Sequence, residues 1–376
     1  MAAFFDATRK GMLETLRSQA EARATDLLWT PRRVAERTMR IIDWHAPDFV
    51  LVDHLAFAST IGLRAMGVEY GDVVLGHPTA LPIGNELYGV PSAWPPVMNP
   101  DAVELDSLRA TARGVTEAFS HAYNEVLSSV APNITPVQDA FAAHGNLVFF
   151  NYPAELHGSV RTAKLPRHVF LGSAVRKETA DADVTQWLLR ADERPLVVVS
   201  FGTFLSARGD VLTRVAAALR RVQARVAIAI GDNDPDEIGP LPDEWLVRTS
   251  LPQVALLEHA SLLITHGGNN SITEALTFGV PMLVMPFSTD QFDGAAAVER
   301  GLVGVALDPN RAPRPLIAGT VRGLLANPPP TADRIGHRLR AQQGSESAHM
   351  AMSSMRRGAA SQLGGAPLST PDATLH

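Results

Sequence analysis

The 376-residue sequence contains no cysteine. Disulfide scaffolds, thiolate metal sites and cysteine nucleophiles are therefore excluded. The sequence also has no surplus of basic residues, because 33 lysines and arginines stand against 39 acidic residues and give a net charge of −6. This charge does not favour nucleic acid or an anionic membrane as a partner.

Long apolar runs are missing as well. No run approaches the roughly 18 residues that a transmembrane helix needs, so we expect no membrane anchor. The amino-terminal segment MAAFFDATRKGMLETLRSQ is charged throughout and lacks the uninterrupted apolar core of a secretion signal, so we expect a cytoplasmic protein. Hydrophobic residues make up 46% of the chain, which at this length is enough for two cores.

Short apolar runs of strand type alternate with helical segments. The pattern predicts strands at 49–52, 71–75, 147–150, 168–171, 196–200, 226–230, 245–248, 262–265 and 280–286. It predicts helices within 1–45 and at 55–66, 103–130, 211–223, 254–259 and 269–278. Such alternation is typical of doubly wound parallel sheets in an α/β protein.

The change to a regular strand and helix repeat near residue 188 predicts a domain boundary there. We therefore expect one domain at 1–188, a second at 189–335, and a C-terminal helix and tail at 336–376, whose last 15 or so residues are expected to be disordered. In the first domain, residues 78–100 hold six prolines and predict a long surface loop.

Residues 262–291, LLITHGGNNSITEALTFGVPMLVMPFSTDQ, carry the strongest functional pattern of the chain. A strand leads into the turn His266-Gly267-Gly268, and a helix follows. Glycines let the backbone approach a ligand, and the N–H groups and positive dipole end of the new helix favour an anion in the turn. Asn270 and Ser271 at the helix start suit phosphate oxygens, and Glu274, one turn later on the same face, suits ribose hydroxyls.

A second buried strand ends shortly before Asp290 and Gln291. Ligands of open parallel sheets bind at the carboxyl ends of the strands, and a carboxylate beside a carboxamide suits sugar hydroxyls. The stretch therefore predicts a site for a nucleoside diphosphate that carries a sugar.

This stretch, together with the preceding LPQVALLEHA, closely resembles the nucleotide-sugar box of family 1 glycosyltransferases, the UDP-glycosyltransferase superfamily of GT-B fold. The resemblance is strong over 251–308 and diffuse in the first half. It implies two doubly wound, Rossmann-like domains that face a cleft. It also implies that His266 with Asn270 and Ser271 contacts the diphosphate, that Glu274 holds the ribose, and that Asp290 and Gln291 hold the sugar.

The resemblance extends to further donor-binding positions. Gln253 resembles the family's glutamine at the nucleoside end of the pocket, and Ser200, Gly202 and Thr203, with Gly268 opposite, resemble the loops around the diphosphate. Three residues before the glutamine, where the family often has an aromatic residue that stacks on the base, this chain has Ser250. Uridine and thymidine diphosphate sugars therefore both stay open as donors.

In the first half, PDFVLVDHLAFASTIGLRAMGV resembles the family strand whose terminal aspartate orients the catalytic histidine, which makes Asp53 the catalytic candidate. Asp53 could equally be a helix cap. The family's histidine follows the first strand of the fold, and nothing here matches it, because the chain opens with helices. We therefore expect the first domain to be incomplete at its amino-terminal end.

The implied activity is an inverting, metal-independent transfer of a sugar to a hydroxyl of a small lipophilic acceptor, without a cofactor. One alternative is a non-catalytic sugar-nucleotide-binding homologue or an auxiliary partner of a transferase, and a third is an epimerase of the same fold, for which no acidic catalytic residues can be placed. His45, His54 and His77 are interpreted as structural histidines, although His54 or His77 could replace the base. Asp232-Asn233-Asp234 spells a metal motif of another fold but lies in a turn-rich acidic loop, and we interpret it as a turn. The oligomeric state stays open.

Overall fold

Two parallel sheets form the framework of the protein. The computed structural model describes residues 2–172, 174–202, 208–342 and 344–363. The first sheet has the order β1-β2-β3-β4, from Leu51–Asp53, Gly71–Val74, Leu147–Phe150 and His168–Phe170. The second has the order β10-β9-β8-β5-β6-β7, from β5 Leu196–Ser200, β6 Arg225–Ala229, β7 Leu246–Arg248, β8 Leu262–Thr265, β9 Met282–Val284 and β10 Gly304–Ala306. Every neighbouring pair of strands is parallel.

Helices connect the strands and cover the sheets. In the first half they are α1 Ala2–Lys10, α2 Met12–Asp26, α3 Pro31–His45, α4 Phe57–Ala65, α5 Ala102–Val130, α6 Ser159–Thr162 and α7 Ala182–Leu188. In the second half they are α8 Gly209–Leu219, α9 Pro235–Ile238, α10 Gln253–Leu257, α11 Asn269–Thr277, α12 Gln291–Arg300, α13 Arg314–Ala326, α14 Pro330–Ala341 and α15 Gly344–Leu363. None of the helices in the described ranges is long and apolar enough to cross a membrane.

The strand order of the second sheet reverses beside β5. The chain passes from β5 to β6 on one side and later returns to β8 on the other, so β5 and β8 border the point where open α/β sheets bind ligands. Both strands are buried along their whole length. Successive side chains of β5, such as Val198 and Val199, lie in separate apolar clusters on the two faces of the sheet. This is expected for a parallel sheet that is covered by helices on both faces.

Both terminal helices pack on the half of the chain that is remote in sequence. Phe4 and Phe5 of α1 pack against the core of the second half, where the buried Arg208 bonds to the Thr8 hydroxyl. At the other end, Ala348 and Met352 of α15 cover Phe149 of the first sheet. The predicted domain boundary at residue 188 lies between the two sheets. Helices α1 and α15, however, each pack on the domain that lies on the other side of this boundary.

The structure confirms the predicted strands with small shifts and adds one. The strand predicted at 280–286 shortens to Met282–Val284, because Pro281 and Pro286 at its ends have no N–H to donate to a neighbouring strand. Strand β10 was not predicted; it is three residues long and begins with glycine. Within the described residues no strand precedes β1. The tail expected to be disordered lies mostly in 364–376, outside the described residues.

The segment 78–100 is not the surface loop that its prolines suggested. Leu81 and Met98 are buried, and Met98 packs with Phe292 of the second half. Two short 3-10 turns, Pro78–Ala80 and Pro96–Met98, use proline in the first turn, where its fixed φ suits a helical start. The segment therefore lies between the two halves and forms part of the cleft.

Candidate functional site

A cavity of about 600 Å³ lies at the carboxyl ends of the second sheet. Ser200 ends β5 and pairs in register with Thr265 of β8, so the loops that follow these two strands meet at the cavity. Nine of the predicted donor-binding residues line it: Ser200, Gly202, Gln253, His266, Gly268, Asn270, Ser271, Glu274 and Asp290. Thr203 lies outside the described residues.

His266 occupies a narrow slot between two glycines. A Cβ added to Gly268 would lie 2.5 Å from Nε2 of His266, and one added to Gly202 would lie 3.3 Å from Cε1. Gly202 also has a φ of +70°, which favours glycine. Burial lowers the pKa of His266 to about 4, so the imidazole is neutral near pH 7 and acts there as a hydrogen-bonding group rather than a cation.

Helix α11 begins at the cavity without a side chain that caps its first turn. Its N–H groups and positive dipole end are therefore available to an anion. The two asparagines at its start have different roles. Asn270 is exposed and lines the cavity. Asn269 is buried, and its Nδ2 donates to the carbonyl oxygens of Leu75 and Asn151, which ties the helix start to the first half.

Glu274 lies one turn further along α11 and is held by two polar side chains. Nε2 of Gln253 donates to its carboxylate at 2.7 Å, and Arg176 approaches at 3.2 Å. Burial raises the pKa of Glu274, and the Gln253 and Arg176 contacts oppose that rise. Gln253 also reaches Ser271 at 3.4 Å, so the predicted nucleoside-side residues form one connected group. Arg176 had no signal in the sequence, because it comes from an irregular linker before α7.

Asp290 and Gln291 point in different directions, although the sequence paired them. Oδ2 of Asp290 accepts the backbone N–H of His77 from the first half at 2.8 Å. The Gln291 side chain is buried and turns back into its own loop, where it accepts the backbone N–H groups of Phe287 and Ser288 at 2.9 and 3.2 Å. Gln291 is not among the residues that line the cavity, so a contact of its side chain with a bound sugar would require it to leave these bonds.

A second cavity, of about 240 Å³, lies between the halves. Its apolar lining comes from Leu55, Val74, Leu75, Ala80, Val90 and Pro91. Asp53 also lines it, and one of its carboxylate oxygens accepts the N–H of Leu55 at 2.8 Å, within the turn after β1. It is not the helix cap considered above, because α4 begins after Ala56 without a side-chain cap. Leu75, Gly76 and Asp290 line both cavities, so the two spaces adjoin.

Two histidines of the first half are buried at the cleft, and His54 lines this second cavity. His54 is buried, with Nδ1 at 3.9 Å from a carboxylate oxygen of the buried Asp72. His77 is buried too; its Nδ1 bonds to the Thr79 hydroxyl, and its ring packs edge-on against Tyr152. Burial lowers the pKa of His77 well below its usual value. His45, at the end of α3, is exposed and lines neither cavity.

Asp293 is a residue of the cleft that sequence reasoning missed. Its buried carboxylate accepts the Thr79 hydroxyl at 3.0 Å, the Ser92 hydroxyl at 2.9 Å and the Ala93 N–H at 3.0 Å. Burial raises the pKa of Asp293 to about 6, and these hydrogen bonds oppose the rise. Asp293 therefore fastens both ends of the 78–93 segment to helix α12. The spacing Asp290-x-x-Asp293 is visible in the sequence, but its partners lie about 200 positions away.

The acidic loop after β6 forms a turn, as interpreted. Asp234 caps α9 by accepting the N–H of Asp236, and Asn233 donates to the carbonyl of Ile230. Asp232 lines the larger cavity beside Ser250. No group of three or more histidine, aspartate or glutamate side chains in the described part of the chain is arranged to hold a metal ion.

Two parallel-sheet domains, with a polar cavity at the carboxyl ends of one sheet and an apolar cavity facing it, define the GT-B class of proteins. The chain belongs to the UDP-glucoronosyl and UDP-glucosyl transferase family, whose model matches residues 116–327. This confirms the family and the fold that the sequence predicted.

Individual relatives agree with this family. An uncharacterized UDP-glucosyltransferase, YojK, of Bacillus subtilis is 28% identical over 219 residues, which cover 56% of this chain and 52% of that protein. The chain thus spans about half the length of the curated relatives it matches. Among solved structures, the glycotransferase of kitacinnamycin has a TM-score of 0.68 at 20% identity, covering 89% of this chain and 82% of that one. Glycosyltransferase VinC in complex with dTDP has a TM-score of 0.66 at 16% identity, covering 92% and 81%.

Proposed function

We propose that the chain transfers a sugar from a UDP- or TDP-sugar to a hydroxyl group of a small lipophilic acceptor, with inversion at the anomeric carbon and without a metal ion or cofactor. One observation carries the proposal: the polar cavity at α11 and the apolar cavity between the halves adjoin at Leu75, Gly76 and Asp290. A sugar attached to a diphosphate in the first cavity would reach the second, where an acceptor has room.

The reaction would join the acceptor oxygen to the anomeric carbon while the bond from that carbon to the diphosphate oxygen breaks. Attack from the face opposite the leaving diphosphate inverts the carbon. The neutral imidazole of His266 and the N–H groups at the start of α11 would stabilise the departing diphosphate, because oriented donors stabilise charge that develops on a leaving group. Glu274 would hold the ribose, and Asp290 would hold the sugar at the boundary of the cavities.

The acceptor proton requires a base, for which Asp53 is the proposed residue. It lines the apolar cavity and is exposed, so it can reach a hydroxyl there. General base catalysis contributes typically 10² to 10⁴-fold. The likeness of family and fold to named glycosyltransferases, one of them in complex with dTDP, supports a nucleoside diphosphate donor.

A second candidate function is binding of a sugar nucleotide without transfer. The observation that favours it concerns the two candidate bases of the apolar cavity: Asp53 already accepts the Leu55 N–H, and the His54 side chain is buried. In this case the donor cavity would be used, but the acceptor hydroxyl would lack a partner that takes its proton.

One set of measurements tests both candidates. UDP and TDP are titrated by calorimetry, and UDP-glucose or TDP-glucose is incubated with 4-methylumbelliferone and related phenols, with and without EDTA. We expect nucleotide binding that His266→Ala and Glu274→Ala weaken, and a glycoside product whose anomeric configuration is inverted. Binding without a product would favour the second function. Nucleotide affinity that neither variant changes would remove the site assignment.

A further inference from the structure

Arg23, near the end of α2, lies in the wall of the apolar cavity. Its guanidinium carbon lies 4.9 Å from the ring centroid of Tyr88, a distance typical of cation–π contacts. On another side it packs against Gly89, where an added Cβ would overlap the Nη1 atom. Contacts with Tyr88 and Gly89 of the segment 78–100 thus hold the Arg23 side chain at the cavity.

The arginine has no anion of its own within the described chain. Its Nη1 atom is buried and has no hydrogen-bond partner there. None of the ion pairs among the described residues includes Arg23. Burial lowers the pKa of Arg23, and Tyr88 and Asp290 oppose that effect. A buried hydrogen-bond donor without a partner is unfavourable, so such atoms are normally satisfied.

None of the three carboxylates in the wall of the cavity satisfies Arg23. Asp290 accepts the His77 N–H and the Thr289 hydroxyl, and Asp53 accepts the Leu55 N–H. Asp293 accepts the hydroxyls of Thr79 and Ser92. None of the three forms an ion pair with the guanidinium, so its buried Nη1 donor stays without a partner in the wall of the cavity.

We propose that Arg23 is a specificity-determining residue that selects acceptors carrying an anionic oxygen, such as a carboxylate, at the end of an apolar body. This inference rests on the proposed function and names its acceptor class. The carboxylate would accept hydrogen bonds from the guanidinium, a pairing that planar geometry favours. Leu55, Val90 and Pro91 would contact the apolar body. The hydroxyl that receives the sugar would face Asp53 and Asp290, which line the same cavity.

The test compares two ligands that differ only in this charge. The affinity of 6-hydroxy-2-naphthoate and of its methyl ester for the full chain is measured by fluorescence titration in the presence of saturating UDP. We expect the carboxylate to bind at least about tenfold more tightly than the ester, the ratio that one charge-assisted hydrogen bond supplies. Arg23→Gln should bring the ratio to within about twofold. Arg23→Lys should keep most of the preference, because it keeps the charge.

Arg33→Gln is the matched control, since Arg33 is an exposed arginine on α3 that lines neither of the two cavities. It should leave the ratio unchanged. Equal affinities for the acid and the ester in the wild-type protein would overturn the inference without any variant, and so would an unchanged preference in Arg23→Gln. Titration of UDP alone reports separately on the proposed function, because Arg23 does not line the nucleotide cavity.

Discussion

The backbone N–H of His77 donates a hydrogen bond of 2.8 Å to Oδ2 of Asp290, across 213 positions of sequence. His77 belongs to the first half and Asp290 to the second, and Asp290 lines both cavities. The residue proposed to hold the sugar is therefore also a contact that closes the cleft. If a donor sugar binds Asp290 as proposed, it would compete for or share a carboxylate that already joins the two halves.

Asp290→Ala should weaken the binding of UDP-glucose more than that of UDP. The carboxylate lies at the boundary of the cavities, so it would touch the sugar and not the nucleoside. Loss of one hydrogen-bonding charged group corresponds to about 1.5–3 kcal/mol, or roughly 10- to 100-fold in affinity. Calorimetry with both ligands measures the difference, and Asp236→Ala in the turn after β6 is the control. An equal loss for both ligands would contradict a contact with the sugar.

Gly268→Ala should reduce nucleotide affinity with little loss of stability. Gly268 has a φ of −62°, which alanine adopts freely, so the effect comes only from the added Cβ at 2.5 Å from Nε2 of His266. The imidazole must move out of its slot. Gly319→Ala in α13 is the matched control, because its Cβ would meet nothing within 4 Å and alanine favours a helix. If both variants bind UDP like the wild type, the position of His266 does not matter for the nucleotide.

Local sequence patterns predicted five of the six strands of the second half. Strands β5 and β8 are buried along their whole length, so each is a short continuous apolar run, and the turn at 266–268 marks where the polar cavity lies. What the sequence could not supply were contacts between distant segments. The carboxylates of Asp290 and Asp293 find partners in the segment 77–93, and Asn269 bonds to Leu75 and Asn151. The hydrophobic periodicity of a sequence carries no information about hydrogen bonds between such distant residues.

The first half was harder to predict for a physical reason. Its strands β1 and β4 have three residues each and are only partly buried or exposed, so their apolar pattern is weak. The prolines of 78–100 predicted a surface loop, but the segment is partly buried between the halves. Burial of that segment depends on α2, α5 and α12, which form one apolar cluster with it. Pro and Gly content alone does not indicate whether a loop is covered.

Asp53→Asn should lower kcat for transfer by at least about 100-fold while leaving the melting temperature close to that of the wild type. The asparagine oxygen can still accept the Leu55 N–H, so the turn survives, but the amide cannot take a proton from the acceptor. Parallel measurements of kcat and of the melting temperature separate the two roles, because loss of a base lowers kcat alone. Asp48→Asn, just before β1, is the control. A fully active Asp53→Asn variant would limit Asp53 to its role in the turn.

Asp293 should make stability depend on pH. Its pKa is raised to about 6 in the native protein, against about 3.9 in the unfolded chain. Between these values the native state binds more protons than the unfolded state, so stability falls as pH rises from about 4 to about 6 and then levels off. The change amounts to about 3 kcal/mol at most.

Asp293→Asn should remove this dependence, because the amide does not titrate. The melting temperature of the variant relative to the wild type should therefore rise between pH 4 and pH 6, whatever the constant cost of the altered hydrogen bonds. Differential scanning calorimetry at several pH values measures it. A difference that is independent of pH over this range would show that the native pKa is not raised.

The two terminal helices have a consequence for how the protein folds. The face of the first sheet around Phe149 is covered by α15, which is made after both sheets, while α1 is made before both sheets and packs on the core of the second half. The first half therefore cannot cover this face until α15 has been made, whereas α1 is already present when the core of the second half forms. Each half expressed alone would lack a helix that the other carries, whereas mixing the two fragments would return the missing helix to each.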